Sequence, residues 1–238
     1  MLKEPGFVEA RLLKWLTRAA TVAAIEDLSP RFRLVDLEGE ALKDHVWAAG
    51  QKTQVQLGGF VSRTYTPMSW DNDKGATRFL AYIHGDAPAS RWASALAIGD
   101  EVLMFGPRGS LDLSSAQKPL LLFGDETSFG LAHSAAASGV GDTAFLFEVT
   151  SAAESEKILA ALGIANAVLV ERKANDAHMD EVERELMQVT EARKPAQFVL
   201  TGKSLSIQRL SRALKARGLT SAQIKSKAYW APGKTGLD

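Results

Sequence analysis

Cysteine is absent from the 238 residues of this chain, and that absence excludes several kinds of chemistry. Without thiols the protein forms no disulfide, uses no thiolate nucleophile and holds no cysteine-ligated zinc or iron–sulfur cluster. Any redox chemistry must therefore use a borrowed cofactor. The few histidines are scattered, with no His-x-x-x-His or Glu-x-x-His pair, so a protein-bound metal site is not expected.

Long apolar runs and a surplus of charge are also missing. The formal net charge is zero, so the whole chain lacks the basic footprint of nucleic-acid-binding proteins. No run approaches the ~20 apolar residues of a membrane-spanning helix, and Glu4 and Glu9 interrupt the region where a signal peptide would be apolar. We therefore expect a cytoplasmic, monomeric protein that binds neither nucleic acid nor membrane.

The charges are nevertheless unevenly distributed along the chain. From residue 191 onward there are ten basic side chains against two acidic ones, and the first 190 residues carry the compensating acidic surplus. This asymmetry favours an anionic small ligand held by the C-terminal part, although a solvated basic helix face would produce the same pattern.

The apolar patterning divides the chain into two parts and predicts a fold of the β + α/β class. Residues 6–18 have helical spacing, and short, often alternating segments typical of an antiparallel barrel then follow at 21–28, 31–39, 52–59, 77–85 and 100–109. After residue 118 the continuous apolar run 119–124 begins an alternation of strands (143–149, 167–172, 197–202, 223–230) with helices (129–138, 153–163, 179–189, 206–218). Such alternation indicates a mostly parallel sheet covered by helices, and we place the domains at 1–115 and 116–238.

One stretch of the predicted barrel, RTYTPMSW at 63–70, combines groups that suit a ligand with a phosphate and a flat ring. Arg63 and Tyr65 are two residues apart on a strand, so they share a face, whereas Thr64 and Thr66 point the other way unless the strand bends. Arginine supplies a planar fork of donors and tyrosine an aromatic plane. Tyrosine and threonine are also common in strands for packing reasons alone.

A helix start follows at HGDAPASRWA, residues 84–93. Pro88 lies near the first turn, and the free backbone N–H groups there, together with Ser90, would form an anion site. An Arg-x-Tyr-Thr motif at a strand end, followed by such a helix N-terminus, predicts a dinucleotide-binding site.

The second part contains an acidic pair, Asp125 and Glu126, between a buried strand and a helix, which is where open α/β sheets bind ligands. Carboxylates would repel a pyrophosphate, so we expect contacts with ribose hydroxyls, a nicotinamide amide or a capping N–H. A simple helix cap by Asp125 or Thr127 is the alternative. The chain has no Gly-x-Gly-x-x-Gly and no Walker loop.

In order and spacing, several of these motifs resemble the siderophore-interacting protein family, flavoproteins of the ferredoxin–NADP reductase superfamily. The resemblance runs from about residue 20 to residue 233 and rests on RTYT, HGDAPASRWA, IGDEV, GPRGSL, LLLFGDETS and AYWAPG. It implies FAD as cofactor, with the flavin bound by Arg63, Thr64, Tyr65 and Thr66, and the ribityl and pyrophosphate portion by His84, Ala89 and Ser90. It also implies a cofactor role for Asp125, Glu126 and Thr127.

Two positions depart from the family pattern. Met68 stands where the family usually has a second arginine, so one expected phosphate cation is missing. Gly130 stands where the family commonly has proline, which would loosen that loop but leaves Asp125, Glu126 and Thr127 in place.

Near the C-terminus the resemblance implies a basic pocket that receives the ferric siderophore. Lys225 and Lys227 alternate along one predicted strand, and with Lys203 and Lys234 they are the expected substrate contacts. Trp230 is expected beside the flavin, and a packing role is its alternative.

The resemblance thus implies an FAD-dependent ferric-siderophore reductase, with NADH, NADPH or a reduced ferredoxin as electron donor. Electrons would pass singly to Fe(III), and the protein would supply position and electrostatics rather than an acid, base or nucleophile. Two alternatives stay open: a nucleotide-dependent flavin or general ferric reductase, and a flavin- or siderophore-binding protein without catalysis.

Overall fold

A computed structural model describes residues 17–58, 61–137 and 142–234 of the chain. It divides the protein into two compact units, the first ending at Ser110 and the second beginning at Leu111, a few residues before the predicted boundary at residue 115. The leading helix predicted at 6–18 lies outside the described residues except for its last two positions, and Arg18 already begins a strand.

The first unit contains one antiparallel sheet of seven strands in the order β4-β3-β7-β1-β2-β6-β5. The strands are β1 (Arg18–Ser29), β2 (Phe32–Glu38), β3 (Lys52–Gly58), β4 (Val61–Tyr65), β5 (Ser69–Asp71), β6 (Ala76–Tyr82) and β7 (Glu101–Arg108). Alternate residues of β3 and β6 are buried, as period-2 side-chain alternation requires. Together with residues of β2 and β7 they build a core with fully buried members such as Val35, Val55 and Met104.

A short helix, α1 (Pro88–Ala95), packs against this sheet and begins with proline in its first turn. Its C-terminal end is held by Arg33 of β2, whose Nη1 donates to the carbonyls of Ala93 (2.9 Å), Ser94 (3.2 Å) and Leu96 (3.3 Å). Arg33 is itself fixed by Asp27 at 2.6 Å. Because a cation here satisfies otherwise unpaired carbonyls, the contact anchors the helix and so orients its N-terminus.

The second unit is a parallel sheet of five strands in the order β10-β9-β8-β11-β12. Its strands are β8 (Leu120–Gly124), β9 (Thr143–Val149), β10 (Val168–Glu171), β11 (Gln197–Lys203) and β12 (Ile224–Trp230), and its helices are α2 (Phe129–Ala137), α3 (Ala152–Ala161), α4 (Met179–Arg193) and α5 (Ser204–Ala216). Every residue of β8 and β11 is buried, which explains the continuous apolar run that marks β8 in the sequence.

The predicted β + α/β fold class is confirmed: an antiparallel N-terminal sheet precedes a parallel sheet with helices. In the second unit the carboxyl ends of β8, β9 and β11 lie along one edge, where open sheets bind ligands. Within the described ranges, no helix is both long and apolar enough to cross a membrane.

Candidate functional site

The first part of the candidate site lies on β4, where Arg63 and Tyr65 share a face as predicted. The Tyr65 ring packs 4.5 Å from Phe79 and 6.0 Å from Trp92, measured between ring centroids. Arg63 is half-buried and its Nη1 donates to the carbonyl of Ser62 at 2.7 Å. Thr64 is exposed and Thr66, just past the strand, is half-buried. An aromatic ring and a guanidinium therefore lie on the same face of β4.

Burial raises the pKa of the Tyr65 phenol above its usual value, and nearby Arg63 only partly offsets this. A raised folded-state pKa means that the neutral phenol stabilises the fold below about pH 10 and that this contribution is lost as the pH rises further. We expect a near-ultraviolet alkaline titration of the wild type to contain a late tyrosinate transition that Tyr65→Phe lacks. An unchanged titration of Tyr65→Phe would contradict the assignment.

Position 68, two residues after the Arg-Thr-Tyr-Thr motif, holds methionine rather than a basic side chain. Met68 is buried in the unit, 2% exposed, and its backbone N–H donates to the carbonyl of Arg78 at 2.8 Å. The departure from the family pattern is therefore a core side chain.

At the N-terminus of α1, the Ser90 hydroxyl is used differently from the expectation. Its Oγ donates to the carbonyl of His84 at 2.7 Å and accepts from the His84 backbone N–H at 3.1 Å. The side chain is buried and closes the loop onto the helix rather than offering a free donor. No side chain caps the helix at Ala87, so backbone N–H groups of the first turn could donate to an anionic ligand.

An open cleft of ≈ 470 Å³ adjoins this helix, with Gly85, Asp86, Ser90, Arg91 and Ser94 among its lining residues. Arg91 lies in the first turn and donates to the carbonyl of Asp86 at 2.6 Å and to its carboxylate at 2.7 Å. Ala89 packs against the sheet core, and the exposed His84 ring stacks on Tyr82 at 5.1 Å. Arg91 was not among the predicted site residues, although it lies within the helix-start motif at 84–93.

In the second unit, Asp125 caps the 3₁₀ turn Glu126–Ser128 at the carboxyl end of β8. Its Oδ1 accepts from the backbone N–H of Thr127 at 2.9 Å and from the Thr127 hydroxyl, and its Oδ2 accepts from Trp230 Nε1 at 2.6 Å. The structure thus shows the capping role that was the alternative at this position. Gly130 is buried in the first turn of α2, and the capping hydrogen bonds before it are intact.

Glu126 is also buried and already bonded within the unit. Its Oε1 accepts from the backbone N–H of Thr150 at 2.6 Å, and its Oε2 accepts from Arg172 Nη1 at 2.8 Å. Arg172 Nη2 lies 3.5 Å from Asp125 Oδ2. One arginine therefore pairs with both carboxylates, and it follows directly after β10 at the same edge of the sheet.

The electrostatics of this cluster follow from its burial. Burial raises the pKa of Asp125 to about 6, although Arg172 and the hydrogen bonds from Thr127 and Trp230 act in the opposite direction. Burial works to lower the pKa of Arg172, but Glu126, Asp125 and Glu148 outweigh it and raise that pKa. Arg172 therefore stays positively charged, and the carboxyl group of Asp125 beside it is a weaker acid than an exposed aspartate.

The predicted basic residues occupy different environments. Lys203 ends β11 and is buried, with Nζ 2.5 Å from Asp176 Oδ1 and 5.8 Å from the centroid of the Trp230 ring. Lys225 Nζ donates to the carbonyl of Asp112 at 2.9 Å and to Ser115 Oγ at 3.1 Å. Lys227 is half-buried and Lys234 is exposed.

Arg172 and Asp176 were missed from sequence because neither lies in a motif. The signal that could have found Arg172 is its place directly after a strand of the parallel sheet, where polar residues face the ligand-binding edge. Trp230 has the Arg172 guanidinium carbon 5.9 Å from its ring centroid, so a second cation lies near the indole that Lys203 approaches.

Comparison with known proteins agrees with these observations. The chain is similar in structure to a siderophore utilization protein from T. fusca, at 22% identity and a TM-score of 0.73, covering 93% of this chain and 95% of that one. It is similar to the siderophore-interacting protein SipS from Aeromonas hydrophila, at 20% identity and a TM-score of 0.74, covering 92% and 93%. A ferredoxin NADP+ reductase from Neisseria gonorrhoeae with bound FAD and NADP matches at 14% identity and a TM-score of 0.70, covering 90% and 99%.

These similarities establish a shared two-domain ferredoxin–NADP reductase-like fold, and no curated protein matches the chain. Residues 51–111, which include β4 and α1, match the siderophore-interacting FAD-binding domain family. The predicted resemblance is therefore confirmed over residues 51–111, and the siderophore utilization and siderophore-interacting proteins above share the fold of the chain.

Proposed function

We propose that this protein is an FAD-dependent reductase of ferric siderophores in the cytoplasm. The observation that carries the proposal is the coincidence of two findings in one segment. Residues 51–111 match the siderophore-interacting FAD-binding domain, and the same segment holds the Arg63–Tyr65 face, the open cleft and the uncapped N-terminus of α1.

The residues of the first unit fit a flavin dinucleotide. Arg63, Thr64, Tyr65 and Thr66 would hold the isoalloxazine region, since an aromatic plane beside a guanidinium suits a flat polar ring. His84, Ala89 and Ser90 would hold the ribityl and pyrophosphate portion, with backbone N–H groups of α1 as donors and Ser90 maintaining the loop. When bound, FAD supplies the electron transfer that no side chain of this chain performs.

The second unit is proposed to serve the electron donor and the iron substrate. Asp125, Glu126, Thr127 and Trp230 lie at the carboxyl end of β8 and β12, where a nicotinamide dinucleotide would bind. Support comes from the Neisseria gonorrhoeae reductase with bound NADP and from a ferredoxin reductase of carbazole 1,9a-dioxygenase, which shares the fold. NADH, NADPH and a reduced ferredoxin are all candidate donors.

The substrate contacts proposed are Lys203, Lys225, Lys227 and Lys234, whose charge would attract an anionic ferric complex. One reduced nicotinamide nucleotide supplies two electrons, so two Fe(III) become two Fe(II) with release of one proton. Iron(II) binds hard oxygen donors less tightly than iron(III) does, and the complex therefore loosens on reduction.

The test begins with the purified protein reconstituted with FAD. We expect a flavin absorption spectrum that bleaches under anaerobic NADH, NADPH or reduced ferredoxin, and that returns when a ferric siderophore is added, with Fe(II) trapped by a chelator. Arg63→Met should weaken FAD binding about tenfold to a hundredfold, the value of a hydrogen bond to a charged group. Lys74→Met, an exposed lysine of the same unit, is the matched control and should bind FAD normally.

Other results would select a different function. Equal turnover of simple ferric chelates or free flavin would favour a general ferric or flavin reductase. Bound flavin that no donor reduces would favour a binding protein without catalysis. Failure to bind FAD would overturn the proposal.

A further inference from the structure

We propose that Lys203, at the carboxyl end of β11, binds an anionic ligand, and that the Asp176 carboxylate occupies this anion-binding site when no ligand is bound. The ligand class is a small molecule with an anionic oxygen group, either the phosphate of a nicotinamide nucleotide or the acidic oxygens of a ferric siderophore. The inference rests on the proposed function, because it names how a substrate contact of that function is regulated.

Lys203 carries a positive charge in a buried position, where it requires a negatively charged partner. Its side chain is only 9% exposed, and its ammonium lies 2.5 Å from Asp176 Oδ1. A buried ammonium without a counter-ion is unfavourable, so removal of the Asp176 carboxylate favours binding of another anion beside Lys203. The position is also where parallel sheets place their ligands.

Asp176 is suited to be a replaceable partner. Its side chain is 43% exposed, so it reaches the lysine from the solvent side and is readily rehydrated when it leaves. It ends the 3₁₀ turn Ala174–Asp176, in which Asn175 and Asp176 have φ of 53° and 57°. Asn and Asp adopt this left-handed conformation more readily than other residues except glycine, so the turn can persist when the Asp176 carboxylate rotates away from Lys203.

Arg172, the neighbouring cation, differs from Lys203 in the burial of its carboxylate partners. Arg172 approaches the same Trp230 ring, but its carboxylate partners Asp125 and Glu126 are 1% and 2% exposed and make further hydrogen bonds. Exchange of those partners would leave buried carboxylates unpaired. Lys203 is thus the cation of this cluster whose partner can leave for water.

Trp230 supplies a fixed wall for the site. Its Nε1 is held by Asp125 Oδ2 at 2.6 Å, and its ring centroid lies 5.8 Å from Lys203 Nζ. The aromatic face attracts the ammonium but accepts no conventional hydrogen bond from it, so Lys203 can keep its position while its anion changes.

The experiment compares Asp176→Asn with wild type, using calorimetric titration of the FAD-loaded protein with NADP⁺ and, separately, with a ferric tris-catecholate. Removing the internal competitor should tighten binding of one probe about tenfold. Asparagine also adopts the left-handed conformation, so the turn should be retained; if melting shows that the variant is unfolded, Asp176→Gly replaces it.

Two controls separate this mechanism from a general charge effect. Glu181→Gln removes the same charge from an exposed ion pair with Lys173, in the same part of the fold, and should leave both affinities unchanged. In a Lys203→Met background, Asp176→Asn should give no gain.

The outcomes distinguish the two proposals. Loss of FAD binding in wild type would overturn the proposed function, whereas the inference fails if flavin is bound but neither probe gains affinity. It also fails if Glu181→Gln produces the same gain, or if the gain survives without Lys203. The probe that gains affinity identifies the source of the anionic group.

Discussion

Replacement of Arg172 by methionine is expected to lower the free energy of unfolding by about 3–5 kcal/mol, because it leaves two buried carboxylates without their cation. Arg172 donates to Glu126 at 2.8 Å and lies 3.5 Å from Asp125, and both carboxylates are almost fully buried. Methionine retains much of the side-chain volume, so the loss reports the charge rather than a cavity.

This loss should depend on pH in a defined direction. The pKa of Asp125 is raised to about 6 by burial, above its ordinary value of 3.8, so the folded protein favours the protonated carboxyl. The corresponding stability is fully present below pH 3.8 and is lost as the pH rises through about 6. The positive charge of Arg172 stabilises the ionised Asp125 carboxylate, which is the main form above about pH 6. Arg172→Met should therefore lose more stability at about pH 7.5 than at about pH 5.

Urea unfolding at the two pH values measures the effect. Lys173→Met is the matched control, since it removes the adjacent cation, whose side chain is 58% exposed and pairs with Glu181. Its unfolding free energy should stay close to the wild-type value, because exposed ion pairs contribute little. Equal losses in both variants, or a larger loss at the lower pH, would contradict the role assigned to Arg172.

At the level of the fold, the sequence was informative wherever one pattern extended over a whole element. The apolar run of β8 predicted a strand buried on both faces, and all five of its residues are buried. β5 was not predicted as a separate strand, because it has only three residues and too few alternations to define a period. β4 was recognised only at its end, through Arg63 and Tyr65.

For the candidate site, the sequence predicted where polar residues lie along the chain better than it predicted which residues they contact. Asp125 was singled out correctly as a residue at the end of β8, but its bond to Trp230 joins residues 105 positions apart. Likewise, the count of basic residues beyond position 191 does not separate buried Lys203 from exposed Lys234. Which carboxylate meets which cation depends on the packing of loops, and no local periodicity encodes that packing.

Gly202→Ala is the second substitution with a large expected effect, about 3 kcal/mol in the free energy of unfolding. Gly202 has φ of 92°, and a Cβ added there would lie 2.5 Å from Asp125 Oδ2 and 2.7 Å from its Cγ. The methyl group would displace the buried carboxylate from its hydrogen bond with Trp230 Nε1. The variant should therefore lose both stability and the fixed position of the indole.

The matched control is Gly218→Ala, which shares the backbone conformation without the collision. Gly218 has φ of 88°, and a Cβ there meets no atom within 4 Å. Its cost should be about 1 kcal/mol, the strain of a left-handed alanine alone. Urea unfolding compares the free energies, and near-ultraviolet circular dichroism, with Trp230→Phe as reference, reports the indole. Since φ is nearly equal at the two glycines, any excess cost at Gly202 measures the contact with Asp125. Equal costs, with an unchanged Trp230 signal, would show that the Asp125 carboxylate moves aside freely and does not fix the tryptophan.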